Sequence, residues 1–324
     1  MKPLTIWTNF KLPDSELALL QQSIGEHRLL LAPGLSESNL VGSGIDPQLA
    51  QADIAFGQPE PQQVIELKNL RWIHLSSAGY TRYDNDAMRA ALKSRGAILT
   101  NSSSVFDEPC AQHALAMMLA ISRELLSAMK SQQTIRDWPI ATYRANSFLL
   151  RGQSAMIVGF GAIGRRLAQL LAPFEMELIG IRRTIRGDES IRMATIDQID
   201  SLLPTVDHVI NILPASPSTA CLFNLERIMK MKRSAIFYNI GRGDTVDQFA
   251  LREALETNQL AAAYLDVTTP EPLPPDDALW TTPNCYITPH TAGGHRDEFE
   301  RLVKHFVNNL HHFEKNEPLI DRII

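Results

Sequence analysis

The segment from Ser154 to Thr184 constrains this chain more than any other, because it reads as strand, glycine turn, helix and second strand in one run. Met156-Ile157-Val158 form an apolar stretch suited to a buried parallel strand. Gly159, Gly161 and Gly164 follow at G-x-G-x-x-G spacing, with Phe160, Ala162 and Ile163 between them. In such a turn the first glycine permits the tight reversal, the second admits a pyrophosphate to the backbone, and the third lets the helix pack against the strand. The helix N-terminus then offers free N–H groups and partial positive charge to phosphates. Leu167, Leu170 and Leu171 supply an apolar helix face, Pro173 ends the helix, and Glu177–Ile181 reads as the next strand. Glycine triplets also occur in plain structural turns, but the flanking strand, helix and strand favour dinucleotide binding.

The end of that second strand selects the dinucleotide. An NAD site places Asp or Glu there for the ribose 2′-hydroxyl, whereas a 2′-phosphate calls for cations. Arg182 and Arg183 occupy the position, with Arg186 close behind, and Glu177 lies at the strand's beginning. Guanidinium groups match phosphate geometry, so NADP(H) is the favoured cofactor. NAD(H) remains possible if the basic run is only a solvated turn.

At 324 residues the chain exceeds what one core usually serves, so two domains are expected. A net charge of −5 gives no electrostatic case for a nucleic-acid partner. Cys110, Cys221 and Cys285 are odd in number and widely spaced, which suits neither a disulfide framework nor a metal site. They are expected to fill core space. Met1 to Glu16 lacks the apolar run of an export signal, so cytoplasmic residence is expected. The most apolar helix, near Cys110 to Ile121, is too short to span a bilayer, and no membrane partner is expected.

Up to about residue 100, short apolar strands near Leu4–Trp7, Leu29–Leu31, Ile54–Phe56, Trp72–Leu75 and Ala97–Leu99 alternate with helical patterns. That rhythm implies a parallel sheet covered on both faces. Ser76-Ser77-Ala78-Gly79 follows a strand, where the N–H groups of Ala78 and Gly79 could hold a carboxylate; a simple turn explains the segment equally well. A long helix is expected from Asp107 as its cap, with Pro109 in the first turn and an apolar face running to Leu125. Arg136 to Leu150 has no clear periodicity and reads as a loop reaching across an interface between domains or subunits. After the glycine unit the rhythm resumes, with strands near His208–Leu213, Ala235–Asn239, Ala262–Leu265 and Cys285–Thr288, and a last amphipathic helix from about Arg296 to Phe313.

Three ionisable residues fall just after strands of this second half: Arg242 in NIGRG, Glu271 in LDVTTPEPLP and His290 in TPHTAGG. In a parallel sheet these loops share one edge with the glycine turn. Together they suit carbonyl reduction. A guanidinium clamps an α-keto carboxylate and polarises the neighbouring carbonyl, an imidazole donates the proton as hydride arrives, and a carboxylate beside it favours the charged ring. Singly, each also fits a structural role: a satisfied histidine, a turn cap, a surface loop.

The order, spacing and flanking residues of SSAGY, EPCAQHALAMMLAISR, VGFGAIG, NIGRG, LDVTTPEPLP and TPHTAGG resemble the D-isomer-specific 2-hydroxyacid dehydrogenase family, in its glyoxylate/hydroxypyruvate reductase-like branch. The resemblance implies an α/β fold of two doubly wound parallel-sheet domains. A Rossmann NAD(P)-binding domain, 104–291, is inserted into a flavodoxin-like substrate domain, 1–103 with 292–324. It implies Arg242 as carboxylate and carbonyl residue, His290 as acid/base, Glu271 as its partner, and Ala78 and Gly79 as substrate-binding amides beside Arg242 and His290. Asp266 would sit near the nicotinamide. The glycine turn, Arg182, Arg183, Leu213, Pro214, Ile240 and Gly241 complete the expected cofactor contacts. A homodimer is expected. Gln112 stands where many members carry Glu.

Two functions follow. One is an NAD(P)H-dependent reductase of a small 2-ketoacid such as glyoxylate or hydroxypyruvate; the other is a dinucleotide-binding regulator or corepressor-like scaffold of the same fold.

Overall fold

The computed structural model describes residues 2–36 and 44–324, which divide into two compact units, one of residues 2–106 with 295–324 and one of residues 107–294. In the first unit, strands β1 (Thr5–Phe10), β2 (Arg28–Ser36), β3 (Ile54–Gly57), β4 (Trp72–Leu75) and β5 (Ile98–Thr100) form a sheet of order β2-β1-β3-β4-β5. Every pairing is parallel, and the order is that of the flavodoxin-like doubly wound fold. The middle strands β3 and β4 are buried at every position, which is why their sequences run apolar rather than alternating.

The second unit holds β6 (Ser154–Val158), β7 (Glu177–Ile181), β8 (Arg192–Ala194), β9 (His208–Asn211), β10 (Ile236–Asn239), β11 (Ala262–Leu265) and β12 (Cys285–Ile287), ordered β12-β11-β10-β9-β6-β7-β8. All six pairings are parallel. The strand order reverses between β6 and β9, the switch point where open α/β sheets bind ligands. The Ala162–Leu171 helix buries Gly164, Leu167, Ala168 and Leu171, one face at helical spacing. Each buried leucine contributes about 2 kcal/mol. The two-sheet α/β class expected from the sequence is the one found.

Several elements differ from expectation. The long helix starts at Ser103, not Asp107, because the Asn101 side chain accepts from the Ser103 N–H and opens the turn earlier. Pro109 consequently lies inside the helix. The helix ends at Ser122, and left-handed Glu124 (φ 56°) separates it from a second helix, Leu125–Gln133. Residues Ile140–Asn146 are helical, not loop; none of them is buried, so no apolar period marked them. Strand β8 was not anticipated. Cys110 is buried, but Cys221 is exposed and fills no core space. No helix among the described residues is long and apolar enough to cross a membrane.

Candidate active site

Because the second sheet is parallel throughout, the loops after β6, β7, β9, β10, β11 and β12 leave from one edge. The glycine turn opens that edge. Gly159 has φ 99°, and a Cβ there would lie 2.9 Å from the Ile212 carbonyl carbon. Gly164 packs so closely that a Cβ would sit 3.1 Å from the Gly159 carbonyl oxygen, whereas one on Gly161 would meet nothing within 4 Å. Gly161 is also the N-cap of the Ala162–Leu171 helix, and no side chain caps it. An uncapped helix start behind an open glycine fits a dinucleotide phosphate.

The N–H groups of Gly159 and Phe160 both donate to the Ile181 carbonyl, 3.0 and 2.9 Å away, so the turn is stitched to the end of β7. Beyond it, Arg182 Nη1 donates to Glu189 Oε1 at 2.8 Å. Glu189 also accepts from the N–H groups of Arg186 at 3.0 Å and Gly187 at 2.8 Å. The Arg186 N–H first, then its other donors, pulls its carboxyl down to about 2 against the opposing effect of burial. Arg183 is exposed.

Next along the edge, the buried Asn211 and Asn239 build the Arg242 loop. Asn211 donates to Asn239 Oδ1 at 3.0 Å and Thr245 Oγ1 at 2.6 Å. Asn239 accepts from the Gly241 N–H and donates to the Arg242 carbonyl. Gly241 is obligatory here, since a Cβ would lie 2.6 Å from the Leu213 carbonyl oxygen, and a Cβ on Gly243 would collide with the Thr268 carbonyl. The Ile240 N–H donates to the Asn211 carbonyl, and Thr219 caps the Pro214 carbonyl. Arg242 Nη1 donates to the Gly241 carbonyl at 2.6 Å, and its guanidinium makes no ion pair among the described residues.

Glu271 and His290 meet. Glu271 Oε1 accepts from the Thr268 N–H at 3.0 Å, and Oε2 lies 2.8 Å from His290 Nδ1. Their side chains are 37% and 29% exposed, open enough for a ligand to reach. His290 is left-handed (φ 52°), and its N–H donates to the carbonyls of Asp266 and Thr288. Asp266 is buried; Oδ1 accepts from the Thr291 N–H and Thr288 Oγ1, and Oδ2 from the Ala292 N–H. Its carboxylate therefore fastens the His290 turn.

In the first unit, the loop after β4 is tied through its carbonyls. Asn101 donates to the Ala78 carbonyl at 2.6 Å and Ser77 to the Gly79 carbonyl at 2.7 Å. The buried Gln58 donates to both serine hydroxyls. Neither the Ala78 nor the Gly79 N–H has an acceptor among the described residues.

Residues 115–292 match the model of the D-isomer specific 2-hydroxyacid dehydrogenase NAD binding domain. A glyoxylate/hydroxypyruvate reductase B of Escherichia fergusonii is 32% identical over 320 residues, covering 96% of this chain and 94% of its own. The chain belongs to the D-isomer-specific 2-hydroxyacid dehydrogenase family. Members are oxidoreductases acting on CH–OH donors, and the second unit of this dehydrogenase is its nicotinamide dinucleotide domain. A glyoxylate reductase of Korarchaeum cryptofilum is 31% identical over 241 residues, 72% of this chain and 71% of that one. A solved family protein of Aeromonas salmonicida superposes with a TM-score of 0.75 at 26% identity, covering 100% of this chain and 99% of that one.

Sequence reasoning missed three residues that shape the dehydrogenase's sheet edge: Asn211, Asn239 and Glu189. The asparagines carried a signal, since a buried amide ending an apolar strand must find partners beyond it. Glu189 carried none, because only the folded turn brings it to Arg182.

Proposed function

We propose that the protein is an NADPH-linked reductase of small 2-ketoacids, glyoxylate or hydroxypyruvate in particular. The observation that carries this reading is the 2.8 Å contact between His290 Nδ1 and Glu271. A carboxylate can only accept, so Nδ1 bears the hydrogen of that bond and Nε2 is the nitrogen left to serve the substrate. Nε2 has no partner among the described residues, as a general acid requires before substrate arrives.

NADPH held at the turn of Gly159, Gly161 and Gly164 would supply the hydride. As the imidazolium, with a hydrogen on each nitrogen, His290 gives the carbonyl oxygen its proton from Nε2, while Glu271 accepts from Nδ1 and holds the ring in the orientation that allows it. Arg242, a cation without a carboxylate partner, clamps the substrate carboxylate and polarises the carbonyl. The Ala78 and Gly79 N–H groups are proposed as a further carboxylate anchor, since their own loop leaves them unspent. The basic end of β7 supports NADP(H) over NAD(H). Exposed Leu125, Met129, Trp138 and Ile140 on the second unit suit a homodimer, which sedimentation velocity would report.

A spectrophotometric screen of 2-ketoacids with NADPH tests the proposal. Oxidation with glyoxylate or hydroxypyruvate is expected. No oxidation above background across the panel would instead assign the chain to the regulator class.

A further inference from the structure

Four arginines, Arg165, Arg182, Arg183 and Arg186, surround the turn that joins β7 to β8, and the structure divides them into two kinds. Arg182 is bound by Glu189 at 2.8 Å, inward, with the glutamate side chain 1% exposed. Arg165, from the first turn of the helix behind Gly161, lies 3.6 Å from Asp188. Arg183 and Arg186 are exposed, and neither guanidinium has an ion pair or hydrogen bond among the described residues. Glu189 reaches back seven positions to do this and, in the same stroke, gathers the Arg186 and Gly187 N–H groups, with Gly187 left-handed at φ 84°. Oε1 thus accepts two hydrogens and Oε2 at least one. A buried carboxylate so engaged is closed to a ribose 2′-hydroxyl.

We propose that Glu189 is the positioning residue of cofactor discrimination. It retires Arg182 into the fold and shapes the turn so that Arg183, with Arg186 beside it, receives the 2′-phosphate. This rests on the NADPH reading above. It also redistributes the sequence expectation, in which Arg182 and Arg183 were equivalent.

Dissociation constants for NADPH, NADH and the fragment 2′,5′-ADP, measured on the full chain by fluorescence titration, test it. The wild-type ratio tests the underlying reading by itself: equal affinity for NADPH and NADH ends both claims. Given a preference, Arg183→Ala should weaken NADPH and 2′,5′-ADP about tenfold or more, the worth of a charge-assisted hydrogen bond, and leave NADH within about twofold. Arg183→Lys should restore part of the loss. Arg182→Ala should cost less than Arg183→Ala; the reverse order overturns the division of roles. Glu189→Ala should weaken NADPH and 2′,5′-ADP several-fold with NADH affinity kept within about twofold, and Glu189→Gln, which keeps an acceptor for the loop, should fall between it and wild type. A parallel loss of NADH binding in both Glu189 variants would reduce the residue to a structural one and overturn the proposal.

Discussion

His305 with Asp321 in the first unit and His290 with Glu271 in the second are both imidazole–carboxylate pairs, built from the same chemistry to different ends. The first is sealed: its side chains are 9% and 15% exposed, and Asp321 accepts from the Ser104 N–H and hydroxyl as well as from the ring at 3.3 Å. His305 in turn lies against His74, whose two nitrogens are 2.7 Å from Thr100 Oγ1 and 3.2 Å from Ser102 Oγ. The second pair spends Nδ1 on its carboxylate and leaves Nε2 unspent at a sheet edge. What separates a structural from a chemical histidine here is not the carboxylate. It is exposure: the His290 and Glu271 side chains are 29% and 37% open, enough for a ligand to reach the ring, whereas those of the first pair are not.

The largest effect that would sharpen this contrast is on turnover. His290→Ala should lower kcat by about a thousandfold, within the usual range for a general acid, with the melting temperature nearly unchanged; a kcat within tenfold of wild type would remove His290 from the acid role. The sealed pair should answer in the opposite currency. Asp321→Ala should cost about 3 kcal/mol in urea unfolding, as when one member of a buried pair is removed, while shifting kcat less than about threefold. Burial pushes the Asp321 carboxyl up, but its bonds from His305 and Ser104 outweigh that and hold it below the ordinary range. Its contribution is therefore present at neutral pH and is lost as pH falls through that lowered value.

Next in size is the acid sensitivity of the sealed histidines. Burial lowers His208 from 6.5 to about 4, and drives His74 well down, helped by neighbouring His305. The unfolded chain takes up these protons first, so stability is full above 6.5 and declines as pH drops toward 4. By pH about 5, His208 alone should account for a loss of about 2 kcal/mol. His208→Gln should flatten the urea midpoint against pH; an unchanged slope would refute the assignment. The smallest effect expected is that of Glu271→Gln, which keeps the shape and loses the charge. About a tenfold fall in kcat, with cofactor affinity kept, would fit an orienting partner, and no change would make Glu271 dispensable.

The strands of both sheets were legible because buried parallel strands are continuous apolar runs, as in Trp72–Leu75 and Ala262–Leu265. Strand β8 was not, being three residues long, at the sheet's edge, and opened by an arginine. Asn224 and Asp247 each accept from the N–H groups that open the following helices, Leu225–Lys230 and Gln248–Glu256, a start signal carried by residue type alone. The Ser103 start was missed because Pro109, a residue that usually sits in a first turn, drew the boundary toward itself. In the site, position after a strand singled out Arg242, Glu271 and His290, since topology alone sends such residues to one edge. Distance along the chain hid Glu189, and the double use of Asp266 as a fastener could not be seen before its oxygens were counted.

The close approaches of Gly159 and Gly241 to the Ile212–Leu213 backbone, and of Gly243 to Thr268, leave neighbouring strand ends without slack. A lineage descending from this chain is thus barred from experimenting there by even one carbon. Novelty in what it reduces must come from regions outside that locked rim, which makes the rim a poor place to search for variants with altered taste and a good place to recognise distant cousins.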